Sequence, residues 1–150
     1  MSTWNPTQYL RFGNERLQPA LDLLARIPLE DPSIIYDLGC GTGTVTSFLK
    51  DRWPGAKVTG IDSSETMLGR ARALDAEVTW QQQDLNTWNP EISADLLYSN
   101  AVLHWLDGHE ELFPRLMSGL DPGGVLAVQM PQNFSAATHK LIAKTARAGP

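Results

Sequence analysis

Along the chain, apolar residues at helical spacing alternate with short unbroken apolar runs of the kind that strands buried on both faces present. The first segment is helical in pattern. Leu17, Ala20, Leu21 and Leu24 form one stripe, Asn5 is placed to cap the helix, Pro6 suits its first position, and Pro28 and Pro32 close it off. Ser33-Ile34-Ile35-Tyr36-Asp37 then reads as a buried strand running into a glycine-rich turn, Leu38-Gly39-Cys40-Gly41-Thr42-Gly43. The spacing predicts a helix over Thr44–Arg52, stopped by Pro54-Gly55. The alternation then repeats. Residues 57–61 are a strand ending at Asp62, and Asp62-Ser63-Ser64-Glu65 reads as a capping box for a helix that carries Met67, Leu68, Ala71 and Leu74. Residues 77–81 are a third strand, followed by Asp84, and residues 94–99 a fourth, followed by Asn100. Asp107-Gly108-His109-Glu110 caps a helix through Leu116, Asp121-Pro122-Gly123-Gly124 is a turn, residues 125–128 are a fifth strand, and 136–148 form a last helix.

Strands and helices that alternate through short connections predict an α/β fold, a doubly wound and mainly parallel sheet with helices on both faces. Ligands of such sheets bind beyond the carboxyl ends of the strands, at the switch in strand order. The glycine loop and the acidic residues Asp37, Asp62 and Asp84 all fall at or just after strand ends.

Composition narrows the function classes. A chain of 150 residues with 42% hydrophobic and 19% charged residues is an ordinary globular domain. Its net charge of −5 argues against a protein that coats nucleic acid or is held on anionic lipid. The single cysteine, Cys40, excludes an internal disulfide and a cysteine-only zinc site, and suits the reducing cytoplasm. No apolar run approaches the ~20 residues of a membrane span, and the N-terminus lacks a leader pattern.

Gly39, Gly41 and Gly43 permit a tight turn that a ligand can approach closely, and the helix that follows offers free N–H groups. Asp62 follows the loop by about 20 residues, where a carboxylate accepts from both hydroxyls of a ribose. A dinucleotide and an adenosyl ligand satisfy these features equally. Two details separate them. The spacing is Gly-x-Gly-x-Gly rather than Gly-x-Gly-x-x-Gly, and Asp37 stands directly before the loop. A carboxylate there repels a pyrophosphate and attracts a cation such as the ammonium or sulfonium of S-adenosylmethionine. Asp84 is placed to accept from an adenine amino group. Cys40 is read as a small residue that fits the loop rather than as a nucleophile, His104 as a packed or capping histidine, and Trp53, Trp80 and Trp88 as core or rim.

The run Asp37-Leu38-Gly39-Cys40-Gly41-Thr42-Gly43 resembles the first motif of class I S-adenosylmethionine-dependent methyltransferases. Trp4-Asn5-Pro6, Tyr9, Phe12, Glu15-Arg16, Gly60-Ile61-Asp62-Ser63-Ser64, Ser99-Asn100-Ala101, Leu103, Trp105-Leu106, Glu111-Leu112-Phe113-Pro114 and the stretch from Gly124 to Pro131 narrow the resemblance to the trans-aconitate 2-methyltransferase family. The resemblance covers residues 4 to about 134 and implies transfer of a methyl group from S-adenosylmethionine to a carboxylate of a small tricarboxylate. It implies a cofactor set of Asp37, Gly39, Cys40, Gly41 and Gly43 for the methionine part, Asp62 and Ser63 for the ribose, Asp84 and Leu85 for the adenine, and Asn100 on the pocket wall. It implies a substrate set of Trp4 and Tyr9 on an N-terminal lid together with Trp105, and a trianionic substrate makes Arg11 and Arg16 candidates for its charge. No general base and no metal are expected, because a carboxylate acceptor is already ionised.

Family members extend beyond Pro150, and His104 stands where the family usually has glutamine. The expected layout is therefore a lid helix over residues 1–28 and a cofactor core over 33–130, truncated after the fifth strand, with the remaining strands and substrate cover missing. A methyltransferase for another carboxylate, such as a carrier-bound malonyl group, and a cofactor-binding module without turnover stay open. A nicotinamide-dependent oxidoreductase is disfavoured by Asp37 and the glycine spacing. Oligomeric state is not legible.

Overall fold

The computed structural model describes residues 17–74 and 77–131. Five strands, β1 (Ile34–Leu38), β2 (Lys57–Asp62), β3 (Val78–Gln82), β4 (Ala94–Asn100) and β5 (Leu120–Gln129), form one sheet in the order β3-β2-β1-β4-β5. Every neighbouring pair is parallel. The chain builds outward from β1 through β2 to β3, then crosses back to β4 on the other side of β1. The switch in strand order therefore lies between β1 and β4, as the alternation predicts.

Helices α1 (Gln18–Ala25), α2 (Thr44–Arg52), α3 (Glu65–Ala71) and α4 (His109–Ser118) flank the sheet, and a 3-10 turn covers Leu103–Trp105. The period-two alternation of the strands divides the core in two. Ile35, Leu96 and Tyr98 pack on one face with Leu24, Leu49 and Trp53. Tyr36, Leu38 and Leu97 pack on the other with Trp88, Leu103, Leu112 and Leu116. Helix α1 has eight residues, too few to persist alone in water. Burial of Leu21 and Leu24, each about 1.5–3 kcal/mol, holds it in place. The Tyr98 hydroxyl donates to the Ala20 carbonyl at 2.8 Å, and the Arg52 guanidinium donates to the carbonyls of Leu24 and Ile27, so α1 is also tied to β4 and α2.

The helix predicted over Thr44–Arg52 has those bounds. Three expectations are corrected. The N-cap of α3 is Ser64, whose hydroxyl accepts from the Met67 N–H, and not Asp62. The two carboxylate oxygens of Asp62 are engaged elsewhere. Asp121-Pro122-Gly123-Gly124 lies within β5 rather than before it. Its pairing steps from Ala94↔Leu120 to Leu96↔Val125, so these residues bulge out opposite Asp95, with Gly123 at φ +88°. The helix predicted from Asp107 starts at His109 without a side-chain cap. The helix start at Asn5-Pro6 and the helix over 136–148 lie outside the described residues. Among the described residues no helix is long and apolar enough to cross a membrane.

Trp53 and Trp88 are buried core residues. Trp80 has a more particular place. It pairs in register with Gly60 of β2, and a Cβ at Gly60 would meet Trp80 Cζ3 at 2.5 Å and Cys40 Sγ at 3.1 Å. Gly60 is thus a glycine because an indole lies across it. Gly60→Ala is expected to destabilise the chain by about 1–3 kcal/mol through overpacking. Gly55→Ala, where a Cβ meets open space, is the control, and the difference in urea midpoints is the measurement.

Candidate ligand site at the strand ends

Parallel register brings the ends of β1, β2 and β4 to one edge of the sheet, with Leu38 opposite Ile61 and Asn100 opposite Gln129. The loop after β1 folds over β2, because the N–H groups of Gly39 and Cys40 both donate to the Ile61 carbonyl, at 2.8 and 2.9 Å. The next N–H, from Gly41, donates to Asp62 Oδ2 at 2.9 Å, and the Ser64 N–H donates to Asp62 Oδ1 at 2.8 Å. A carboxylate has about four acceptor positions, so Asp62 keeps capacity for a ligand.

The loop glycines divide by role. Gly39, Gly41 and Gly43 all have positive φ. A Cβ on Gly39 would lie 2.4 Å from the Val102 side chain, and one on Gly43 would lie 2.5 Å from Trp80. Only Gly41 faces open space. Gly43 is not among the residues that line the two clefts described below. It instead leads into α2 and receives the Trp80 ring.

Two clefts open at this edge. The larger, about 490 Å³, is lined by Asp62, Ser63, Asp84, Leu85 and Trp105. The smaller, about 220 Å³, is lined by Asp37, Cys40, Thr44 and Leu17. Gly39, Gly41 and Asn100 belong to both. Sequence reasoning missed Ser64, Met67, Ala101, Val102 and Leu106 in the larger cleft and Leu17, Thr42, Thr44 and Val45 in the smaller. Met67 and Leu17 carry only an apolar-stripe signal, and Ala101 is marked only as part of the Ser99-Asn100-Ala101 run. Trp4, Tyr9, Arg11 and Arg16 lie outside the described residues. Neither cleft is lined by a Lys, Arg or His among the described residues.

Asp37 is 3% exposed and accepts from the Thr46 hydroxyl at 2.6 Å. Burial pushes its carboxyl up to about 7, against the Thr46 bond, and the nearby Asp62 charge adds to the rise. Burial, with Asp37 and Asp62 close by, also pushes the Cys40 thiol up, so it stays protonated and un-nucleophilic. Asn100 Oδ1 is buried without a partner among the described residues, an arrangement that a ligand donor would satisfy. The next residue, Ala101, has φ +57°, a strain of roughly 1–2 kcal/mol for a non-glycine. Its N–H is held by the Gln129 carbonyl at 2.8 Å. Asp84 Oδ1 accepts from the N–H and the side-chain amide of Asn86 at 2.9 and 2.8 Å. The Leu85 side chain is buried in the core, so only its main chain can serve a polar ligand group. Trp105 stands 78% exposed at the mouth. His104 lines neither cleft. Its ring tilts against Trp105 at 4.7 Å, and its buried Nδ1 has no partner among the described residues.

The family model for a methyltransferase domain matches residues 35–124. This chain belongs to the methyltransferase domain family. The matched span opens in β1 and takes in Asp37, the glycine loop, Asp62, Asp84, Asn100 and Trp105. Within the family, the chain is 49% identical over 97% of its length to a protein of Azoarcus sp. (strain BH72) named trans-aconitate 2-methyltransferase. It is 50% identical over 97% to one of the same name from Escherichia coli O157:H7 (strain EC4115 / EHEC). It spans 57% and 58% of the lengths of these relatives. An S-adenosylmethionine-dependent methyltransferase from Mesorhizobium loti superposes with a TM-score of 0.69 at 34% identity, over 83% of this chain and 57% of that one.

The raised carboxyl of Asp37 has a pH consequence for this methyltransferase domain. The folded state holds the proton more tightly than the unfolded chain does. The contribution to stability is therefore complete below the ordinary carboxylate value and is lost as pH rises towards about 7. Asp37→Asn, which keeps an acceptor for Thr46, is expected to match the wild type at low pH. It is expected to gain stability relative to it as pH rises through that window. Thermal midpoints of both chains measured across it are the check.

Proposed function

We propose that this domain holds S-adenosylmethionine at the strand ends and that the whole protein transfers its methyl group to a carboxylate of trans-aconitate. The observation that supports the cofactor most is the wall itself. Asp37, Asp62, Asp84 and Asn100 Oδ1 offer acceptors, and no basic side chain lines the clefts among the described residues. Such a wall repels a pyrophosphate and suits an ammonium, a sulfonium, ribose hydroxyls and an adenine amino group. The residues present fit the ligand part by part. Asp37, Gly39, Cys40, Gly41, Gly43 and Asn100 would hold the methionine part, Asp62 and Ser63 the ribose, and Asp84 with the Leu85 main chain the adenine. The names carried by relatives about 50% identical to this chain support the acceptor.

S-adenosylmethionine, when bound, supplies an electrophilic methyl group on sulfur. The acceptor carboxylate, with a reference pKa of about 4, is ionised near neutral pH, so the chain supplies no general base. Its work is to align acceptor and methyl and to exclude water. Trp105 offers an aromatic face at the mouth, which favours a cation. By the family resemblance Tyr9 and Trp4 would form a lid, and Arg11 and Arg16 would bring the positive charge that a trianion needs. The setting is cytoplasmic, where the Cys40 thiol stays reduced.

Calorimetric titration with S-adenosylhomocysteine, with NADH as control, tests the cofactor. Binding of the first alone is expected, and NADH binding would overturn the reading. Asp62→Ala is expected to weaken S-adenosylhomocysteine binding by about 1–3 kcal/mol, the loss of hydrogen bonds to a charged acceptor. Unchanged affinity would remove Asp62 from the site. For the acceptor, Arg16→Ala in the active protein is expected to raise KM for the tricarboxylate far more than for a monoester analogue. Equal effects on the two would count against a charge clamp.

A further inference from the structure

Asp84 and Leu85 form one wall of the larger cleft and open the link between β3 and β4. That link begins as a tight turn. The N–H groups of Thr87 and Trp88 both donate to the Asp84 carbonyl, at 3.1 and 2.9 Å, and Asn86 closes on Asp84 Oδ1. These bonds are all local. They shape the turn but leave its position against the sheet undetermined. Long-range contacts set that position. On the β2 side the Gln83 N–H donates to the Asp62 carbonyl at 3.1 Å and Leu85 is buried in the core, and two further ties hold the far end of the turn. Trp88 is buried and meets Tyr36 of β1 edge to face, with ring centroids 5.1 Å apart. Arg115 of α4 donates from Nη1 to the Trp88 carbonyl at 2.5 Å and from Nη2 to the Leu85 carbonyl at 2.9 Å.

No carboxylate pairs with Arg115 among the described residues. Its charge serves two main-chain oxygens of one turn. A planar guanidinium fork reaches two carbonyls at once, whereas an ammonium is a single point donor. Donors that carry charge also make the stronger class of hydrogen bond. Arg115 itself lines neither cleft.

We infer that Arg115 is a positioning residue that clamps the turn at 84–88, so that Asp84 and Leu85 present a fixed edge to the base of the bound nucleoside and select adenine. This inference rests on the cofactor reading above. The clamp acts chiefly on the base. The carboxylate of the ribose partner Asp62 is held by Gly41 and Ser64, and only the Asp62 carbonyl meets the turn's approach, through the Gln83 N–H.

The test is titration of the wild type, Arg115→Lys and Arg115→Met with S-adenosylhomocysteine and with S-inosylhomocysteine, which carries a carbonyl in place of the adenine amino group. The wild type is expected to prefer the adenine ligand by about tenfold or more, the worth of one hydrogen bond to a charged acceptor. Both variants are expected to narrow that preference to about threefold or less. A general loss of folding weakens both ligands alike and leaves the ratio where it was. Amide hydrogen exchange on the ligand-free chains is the second readout. The amides of Asn86, Thr87 and Trp88 are expected to exchange faster in the variants, while those of β1 and β4 keep their rates. An unchanged ratio against a discriminating wild type overturns the proposal, and so does unchanged exchange at 86–88. A wild type that binds neither ligand overturns the cofactor reading instead, and the exchange comparison then decides the clamp without it.

Discussion

Two backbone N–H groups converge on the Asp62 carboxylate, one from the loop after β1 and one from the start of α3. Hydrogen bonds to a charged acceptor are worth about 1.5–3 kcal/mol each, more than the neutral bonds around them. The Gly41 bond ties the loop of β1 to the end of β2, and the Ser64 bond turns the chain from β2 into α3. The two N–H bonds onto Ile61 hold the same loop from its first residues. The floor of both clefts is built from this loop, so their shape depends on one side chain at a strand end. That side chain is free to act because Ser64, and not Asp62, caps α3.

Around this tie lie a strained residue, an unsatisfied acceptor and a buried carboxyl. Ala101 adopts a left-handed conformation, Asn100 Oδ1 is buried without a partner among the described residues, and the Asp37 carboxyl is buried beneath the loop. Each costs free energy in a fold without a ligand. All three lie at the edge where β1 and β4 diverge, the crevice where parallel sheets bind their ligands. A ligand rich in hydrogen-bond donors and positive charge offsets the last two of these costs. That physical complementarity joins the methyltransferase family assignment to the proposed cofactor.

Much of this was legible from residue order because the fold is local in its logic. Helix α2 follows from apolar spacing between a glycine loop and Pro54-Gly55, and strand and helix alternate at lengths that leave a parallel sheet as the arrangement that buries them. Asp37, Asp62, Asp84 and Asn100 could be placed at the site because each ends or follows a strand, and parallel strands bring such positions to one edge. Other features were not legible because they depend on partners distant in sequence. Gly43 carries the same signature as Gly41, yet a Trp80 ring from β3 fills the space before one and leaves the other open. The residues of the turn at 121–124 read correctly as turn chemistry, but their pairing across β4 makes them a bulge inside β5.

The sequence by itself determined the order of elements, the parallel sheet, the acceptor-rich character of the strand ends and the family resemblance. All of these follow from residue type and spacing along the chain. Only the tertiary structure decided which of the loop glycines faces open space and that Asp62 holds the loop. It also decided that Asp37 is buried enough to keep its proton towards neutral pH, and that Arg115 grips a turn some thirty residues away. The physical reason is common to these cases. Burial, dielectric and steric contact are properties of what surrounds a group, and the surroundings are supplied by segments that spacing along the chain does not relate.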